Sequence, residues 1–135
     1  MRVEPYLFFD GRCEEALAFY RSALGAEILA LMRYKESPDP QTIPPGSAEK
    51  VMHANLRIGD TMLMASDGMC GGAPRFNGFS MTLNAVDDAE AARLFGALAD
   101  GGQVQMPLGK TFFASSFGMV ADRYGVSWMV IAGAQ

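Results

Sequence analysis

The sequence holds one histidine, one tryptophan and two cysteines among 135 residues. A single histidine excludes any metal site that needs two or more imidazoles from one chain, and any relay of histidines within one subunit. Cys13 and Cys70 allow at most one disulfide and have no CxxC spacing, a usage that fits a reducing compartment. Positive charge is scarce: 11 Lys and Arg stand against 15 Asp and Glu, for a formal net charge of -4, and no basic run occurs. Binding along a nucleic-acid backbone needs clustered positive charge, so no nucleic acid is expected as a partner. A small anion, which needs only one or two positive groups, stays open. No apolar run reaches the roughly 18–20 residues of a membrane span. The start, MRVEPYLFF, carries Glu4 and Asp10 around a short apolar stretch and lacks the pattern of a signal peptide. The expectation is a cytoplasmic protein with no membrane partner.

Half of the residues are hydrophobic, with 10 Met and 9 Phe, which suits one domain with a sizeable core. The pattern along the chain alternates two periods. VEPYLFFDG reads as a strand ending at Asp10-Gly11. CEEALAFYRSAL then has helical spacing, with Ala16, Phe19, Tyr20, Ala23 and Leu24 on one stripe and Gly25 as its stop. AEILALMRYKE is a strand, and SPDPQTIPPGSAEK, with four of the seven prolines, is a long loop. VMHANLRI and TMLMASD are strands joined at Gly59-Asp60, a hairpin signal.

A glycine-rich segment over 68–74 reads as a linker, after which the order restarts. FNGFSMTLNAV is a strand. DDAEAARLFGALADGG is a helix, with Ala91, Leu94, Phe95 and Leu98 as its stripe. QVQMPL, FFASSFGMVA and VSWMVIA are strands. The organisation is β-α-β-β-β twice, as modules over 1–68 and 75–135 of a single domain spanning 1–135. AxxFYxxAL in the first helix lines up with AxxLFxxLA in the second.

Three stretches, PYLFFDGRCEEALAFYRSALG, VMHANLRIGDTMLMASDG and ADRYGVSWMV, occur in that order and spacing. Through them the chain resembles the PhnB-like branch of the vicinal oxygen chelate superfamily, which includes glyoxalase I, bleomycin-binding proteins and extradiol dioxygenases. The resemblance implies an α+β fold of paired βαβββ modules, a glyoxalase-like curved sheet of eight strands around a cavity with helices on the convex side. It also implies a homodimer. Some PhnB-like members carry the name 3-demethylubiquinone 3-methyltransferase. No glycine-rich strand-to-helix loop with a downstream acidic residue is present here for a nucleotide-like cofactor.

Metalloenzymes of the superfamily place their ligands on four strands facing the cavity. The resemblance carries those positions to Pro5, to His53, to one of Phe79, Ser80 and Met81, and to Met129. Only His53 is a strong donor for a divalent ion; a thioether suits soft ions. No metal and no other cofactor is therefore expected, with His53 as the one candidate ligand.

Strand alternation gives a second view of the cavity. His53, Asn55 and Arg57 share one face, and Ala54, Leu56 and Ile58 the other. Ser80, Thr82 and Asn84 take the cavity side, alternating with Phe79, Met81 and Leu83 on the helix side. Ser127, Met129 and Ile131 alternate with Val126, Trp128 and Val130. Pro5, Leu7 and Phe9 are placed inward. The candidate ligand-binding set is a polar arc of His53, Asn55, Ser80 and Thr82, an apolar wall of Leu7, Phe9 and Met129, and Lys110 as a possible anion contact. Two functions remain open. One is a small-molecule binding protein without catalytic metal. The other is a divalent-metal-dependent lyase, isomerase or dioxygenase-type enzyme with an altered site.

Overall fold

A computed structural model describes residues 1–39, 43–68 and 73–134. Cys70 lies outside the described residues. The chain divides into two compact units, Met1–Pro74 and Arg75–Gln135.

In the first unit, β1 (Tyr6–Phe8) is followed by α1 (Cys13–Leu24), β2 (Glu27–Arg33), a short 3-10 turn (Tyr34–Glu36), β3 (Val51–Ile58) and β4 (Thr61–Ser66). The strands form a four-stranded sheet in the order β1-β4-β3-β2, with β1 parallel to β4 and the other pairs antiparallel. The α1 stripe buries Ala16, Leu17, Tyr20 and Ala23, and Cys13 beneath the first turn. Full burial of a leucine of this kind contributes about 2 kcal/mol before ordering costs. The helix ends at Gly25, whose φ of 71° is left-handed and lets its N–H reach the carbonyl of Arg21 and the N–H of Ala26 that of Tyr20.

Leu7, Ala65, Ala54, Leu63 and Leu56 are cross-strand partners or alternate positions on one face, and all are buried. Phe9 continues that face, its ring centroid 6.2 Å from Tyr20 of α1. The helix-covered face of this sheet is thus the apolar one. At the N-terminus of α1, the buried carboxylate of Asp67 accepts backbone N–H groups from Gly11, Cys13 and Val51 at 2.7–2.8 Å. One side chain ties the helix start to two strands.

The second unit repeats the plan. It contains β5 (Met81–Asn84), α2 (Asp88–Ala99), β6 (Gln103–Gly109), β7 (Ser116–Ala121) and β8 (Ser127–Ala132). Its sheet order is β5-β8-β7-β6, with β5 parallel to β8. Asp87 caps α2 by accepting the N–H of Glu90 at 2.8 Å. Ala91, Leu94, Phe95 and Leu98 are the buried stripe, as the spacing predicts. Val120, Val126, Trp128 and Val130 are buried in the core. The α+β architecture of paired βαβββ modules is observed, its eight strands hydrogen-bonded as two four-stranded mixed sheets.

No helix among the described residues is long and apolar enough to cross a membrane.

Candidate functional site

Each sheet has a second face not covered by its own helix; of the candidate residues, His53 and Asn55 are on the first sheet and Ser80, Thr82 and Met129 on or beside the second. On the first sheet, the register puts Tyr6, Met64 and Asn55 in one cross-strand row, with Met32 opposite His53. The Tyr6 hydroxyl lies 2.9 Å from His53 Nδ1, and the rings are 5.5 Å apart at 41°. Phe8 stacks on Tyr6 at 4.8 Å and is 53% exposed. Tyr6, His53 and Asn55 are half-buried. Further along the strand Arg57 is taken up by an ion pair with Glu27, its cross-strand partner, at 2.7 Å.

Leu7 and Phe9 do not belong to this face. They are 2% and 1% exposed and pack on the α1 side. The cause is parity. Tyr6-Leu7-Phe8-Phe9 is apolar at every position, so alternation names no inner side, and the hydrogen-bond register with β4 decides it. The aromatic residues beside His53 are therefore Tyr6 and Phe8. The first-strand position carried to Pro5 has as its neighbour on the open face a phenol, not a metal-binding imidazole or carboxylate.

On the second sheet, an open cleft of about 560 Å³ is lined by Phe76, Asn77, Gly78, Phe79, Ser80, Gln105, Met119, Ser127 and Met129. Ser80 and Ser127 share a hydrogen bond of 2.8 Å between their hydroxyls, and Ser127 lies 3.5 Å from Gln105 Oε1. Thr82 pairs with Met129 and is exposed. Gln105 lies in the cleft beside a bulge in β6. Val104 pairs with Val120 and Met106 with Met119, leaving Gln105 as an extra residue on the bulged strand. Nothing in QVQMPL marks that bulge.

Phe79 was expected on the helix side of β5. It precedes the strand, is 46% exposed and lines the cleft. Lys110 is exposed just after β6 and is not among the lining residues. The turn that follows it is fixed by Thr111 Oγ1, which accepts the N–H groups of Phe113 and Ala114.

A second hollow, about 320 Å³, lies in the first unit between Gly11, Glu14, Arg33, Glu49, Lys50, Val51 and Asp67. Its charged groups all have partners within the protein. Arg33 grips both carboxylate oxygens of Glu14, at 2.6 and 3.2 Å, and Lys50 donates to the Gly11 carbonyl at 3.0 Å. The hydrogen bond from Arg33 holds the Glu14 carboxyl below its usual range, despite some desolvation. Cys13, beneath this hollow, is an inert thiol: burial drives its pKa far up, with the charges of Asp67 and then Glu14 adding to the effect.

The donors at the superfamily's metal positions do not fit a catalytic divalent ion. They amount to one imidazole whose Nδ1 already meets Tyr6, the Ser80 hydroxyl, which is hydrogen-bonded to Ser127, and the thioether of Met129, with no donor side chain at Pro5. Among the described residues, no group of three or more His, Cys, Asp and Glu side chains is placed to hold a metal ion.

Two helix-backed βαβββ units, each with a mixed four-stranded sheet and an open mixed face, define a glyoxalase-like protein. The family model described as 3-demethylubiquinone-9 3-methyltransferase matches residues 1–131, and the chain belongs to that family, the PhnB-like branch of the vicinal oxygen chelate superfamily. Protein YjdN of Escherichia coli is 36% identical over 96% of this chain and 94% of its own. The crystal structure of protein PA1353 from Pseudomonas aeruginosa has a TM-score of 0.88 at 45% identity, covering 100% of this chain and 99% of that one. A putative 3-demethylubiquinone-9 3-methyltransferase, PhnB protein, from Bacillus cereus has a TM-score of 0.83 at 30% identity, covering 98% and 99%. A glyoxylase/bleomycin resistance protein/dioxygenase domain from Frankia, at 15% identity and a TM-score of 0.68, shares the fold.

Proposed function

We propose that this chain is a small-molecule binding protein of the glyoxalase-like superfamily that acts without a catalytic divalent metal. The observation that carries the reading is the cleft on the second sheet. It sets the Ser80 and Ser127 hydroxyls and the Gln105 amide beside Met119, Met129, Phe76 and Phe79. Convergent polar groups on an otherwise apolar hollow are the ordinary make-up of a small-molecule site, and about 560 Å³ is within its usual size. The occupant is a largely apolar compound with one polar end. The apolar body rests on the methionine and phenylalanine side chains, which adapt to irregular shapes. The polar end meets the hydroxyls and the amide. The open face of the first sheet offers a similar mixture in Tyr6, Phe8, His53 and Asn55.

The test is retention of a compound. Protein purified without a histidine tag is denatured, and the extract is compared by mass spectrometry with that of Met129→Lys, which fills the cleft with a charged stem. The expected result is a compound that accompanies the wild type and is missing from the variant, with circular dichroism unchanged. A wild type that carries and takes up no compound, or a variant that carries as much, overturns the reading.

A further inference from the structure

The open face of the second sheet holds a feature that small-molecule binding does not require. Met106 of β6 is the cross-strand partner of Met119 in β7, and Met119 is the partner of Met129 in β8. Three methionines therefore share one register row across three adjacent strands, with a bulge on β6 beside Met106. Met119 and Met129 are half-buried and line the cleft; Met106, on the edge strand β6, is 43% exposed and is not among the lining residues.

We propose that Met106, Met119 and Met129 form a binding site for a soft monovalent cation, with copper(I) as its natural occupant. Neighbouring strands lie about 4.8 Å apart, and directly opposed side chains start about 5 Å from each other. A methionine side chain has three rotatable bonds, so the two outer sulfurs can swing toward the central one and meet a single ion above Met119. Thioether sulfur is a soft, uncharged donor that selects copper(I) over zinc, magnesium or manganese. The row itself holds no carboxylate, imidazole or thiol that would favour a harder ion. A thioether also has no proton to lose. Binding here releases none, so affinity is flat with pH, unlike that of a cysteine or histidine site. The inference goes beyond the small-molecule reading and does not rest on it, because it needs only the register of three strands.

Silver(I) is a suitable probe, since thioethers hold it as they hold copper(I) and it needs no reductant. The protein carries Cys70→Ser so that this thiol does not compete; the Cys13 thiol is buried and held protonated. Native mass spectrometry and calorimetry follow silver binding at mildly acidic and at neutral pH. The expected result is one silver ion per chain with equal affinity at the two pH values. Met119→Leu, which keeps the volume and removes the central sulfur, weakens binding about tenfold or more. Met32→Leu, on the other sheet, leaves it unchanged. No silver retained, equal binding by Met119→Leu, or affinity that collapses on acidification overturns the proposal. A silver result leaves the compound-retention test unaffected in either direction.

Discussion

The carboxylate of Asp122 accepts the indole N–H of Trp128 at 2.8 Å, although both groups are buried and six residues separate them in the chain. The other Asp122 oxygen accepts the N–H groups of Tyr124 and Val126 at 2.8 and 3.1 Å. The β7–β8 turn and the only tryptophan are therefore fixed by one side chain. Asp122→Asn replaces a charged acceptor and presents an amide donor to other donors. We expect a loss of about 3 kcal/mol in urea unfolding, the range for buried charge-assisted hydrogen bonds. Tryptophan fluorescence reports the same transition. A change within error of zero contradicts this role.

Asp67 performs the matching task in the first unit, with three backbone N–H groups on its two oxygens. Asp67→Asn is expected to lose a similar amount, about 3 kcal/mol. Hydrogen exchange at Gly11, Cys13 and Val51 is expected to accelerate most. Uniform acceleration across the unit speaks against a local anchor.

The pH dependence follows from two carboxylates. Hydrogen bonds from Ser115 and then Ser116 hold Asp88 below the ordinary range, outweighing a small desolvation effect. Arg33 does the same for Glu14. A carboxyl whose folded pKa is lowered stabilises the protein above its unfolded pKa, and that stabilisation is lost as pH falls through the folded pKa. Stability is therefore expected to hold from neutrality to about pH 5 and to decline below it. The Glu14 pair lies at the surface, where solvent screening keeps its share small. In the Ser115→Ala, Ser116→Ala double variant, the carboxyl titration of Asp88 followed by NMR moves up toward the ordinary value. A titration that does not move rules out the serine contribution.

Gly118 sits where a side chain has no room. A Cβ there meets Phe95 Cε2 at 2.7 Å and the Leu108 Cα at 2.9 Å. The Phe95 ring can shift, but the Leu108 backbone is held in β6. Gly118→Ala is expected to destabilise by about 2–3 kcal/mol through overpacking. Thermal unfolding at wild-type temperature contradicts that packing.

Much of this organisation is legible in the sequence because the signals there are two-sided. The helices are marked by polar residues opposite the stripe, as with Ala91, Leu94, Phe95 and Leu98. In β3, polar and apolar positions alternate, so Ala54 and Leu56 separate cleanly from His53 and Asn55. The first strand lacks such contrast, and Leu7 and Phe9 fall on the face opposite to the one expected. Tyr6 and Phe8 beside His53 emerge only from pairing with β4. Gln105 is an ordinary polar position of Gln103-Val104-Gln105-Met106; what the composition hides is the bulge, which sets Met106 opposite Met119. Phe79 is misplaced because the strand starts two residues later, at Met81.

The most direct measurement is elemental analysis of untagged protein, freshly isolated without chelator. Divalent zinc, manganese, iron, nickel and cobalt are expected far below one atom per chain, because the superfamily's ligand positions present Pro5, the one imidazole of His53, at best the Ser80 hydroxyl, and the Met129 thioether. One atom of such a metal per chain, lost on His53→Ala in a folded protein, would contradict the account.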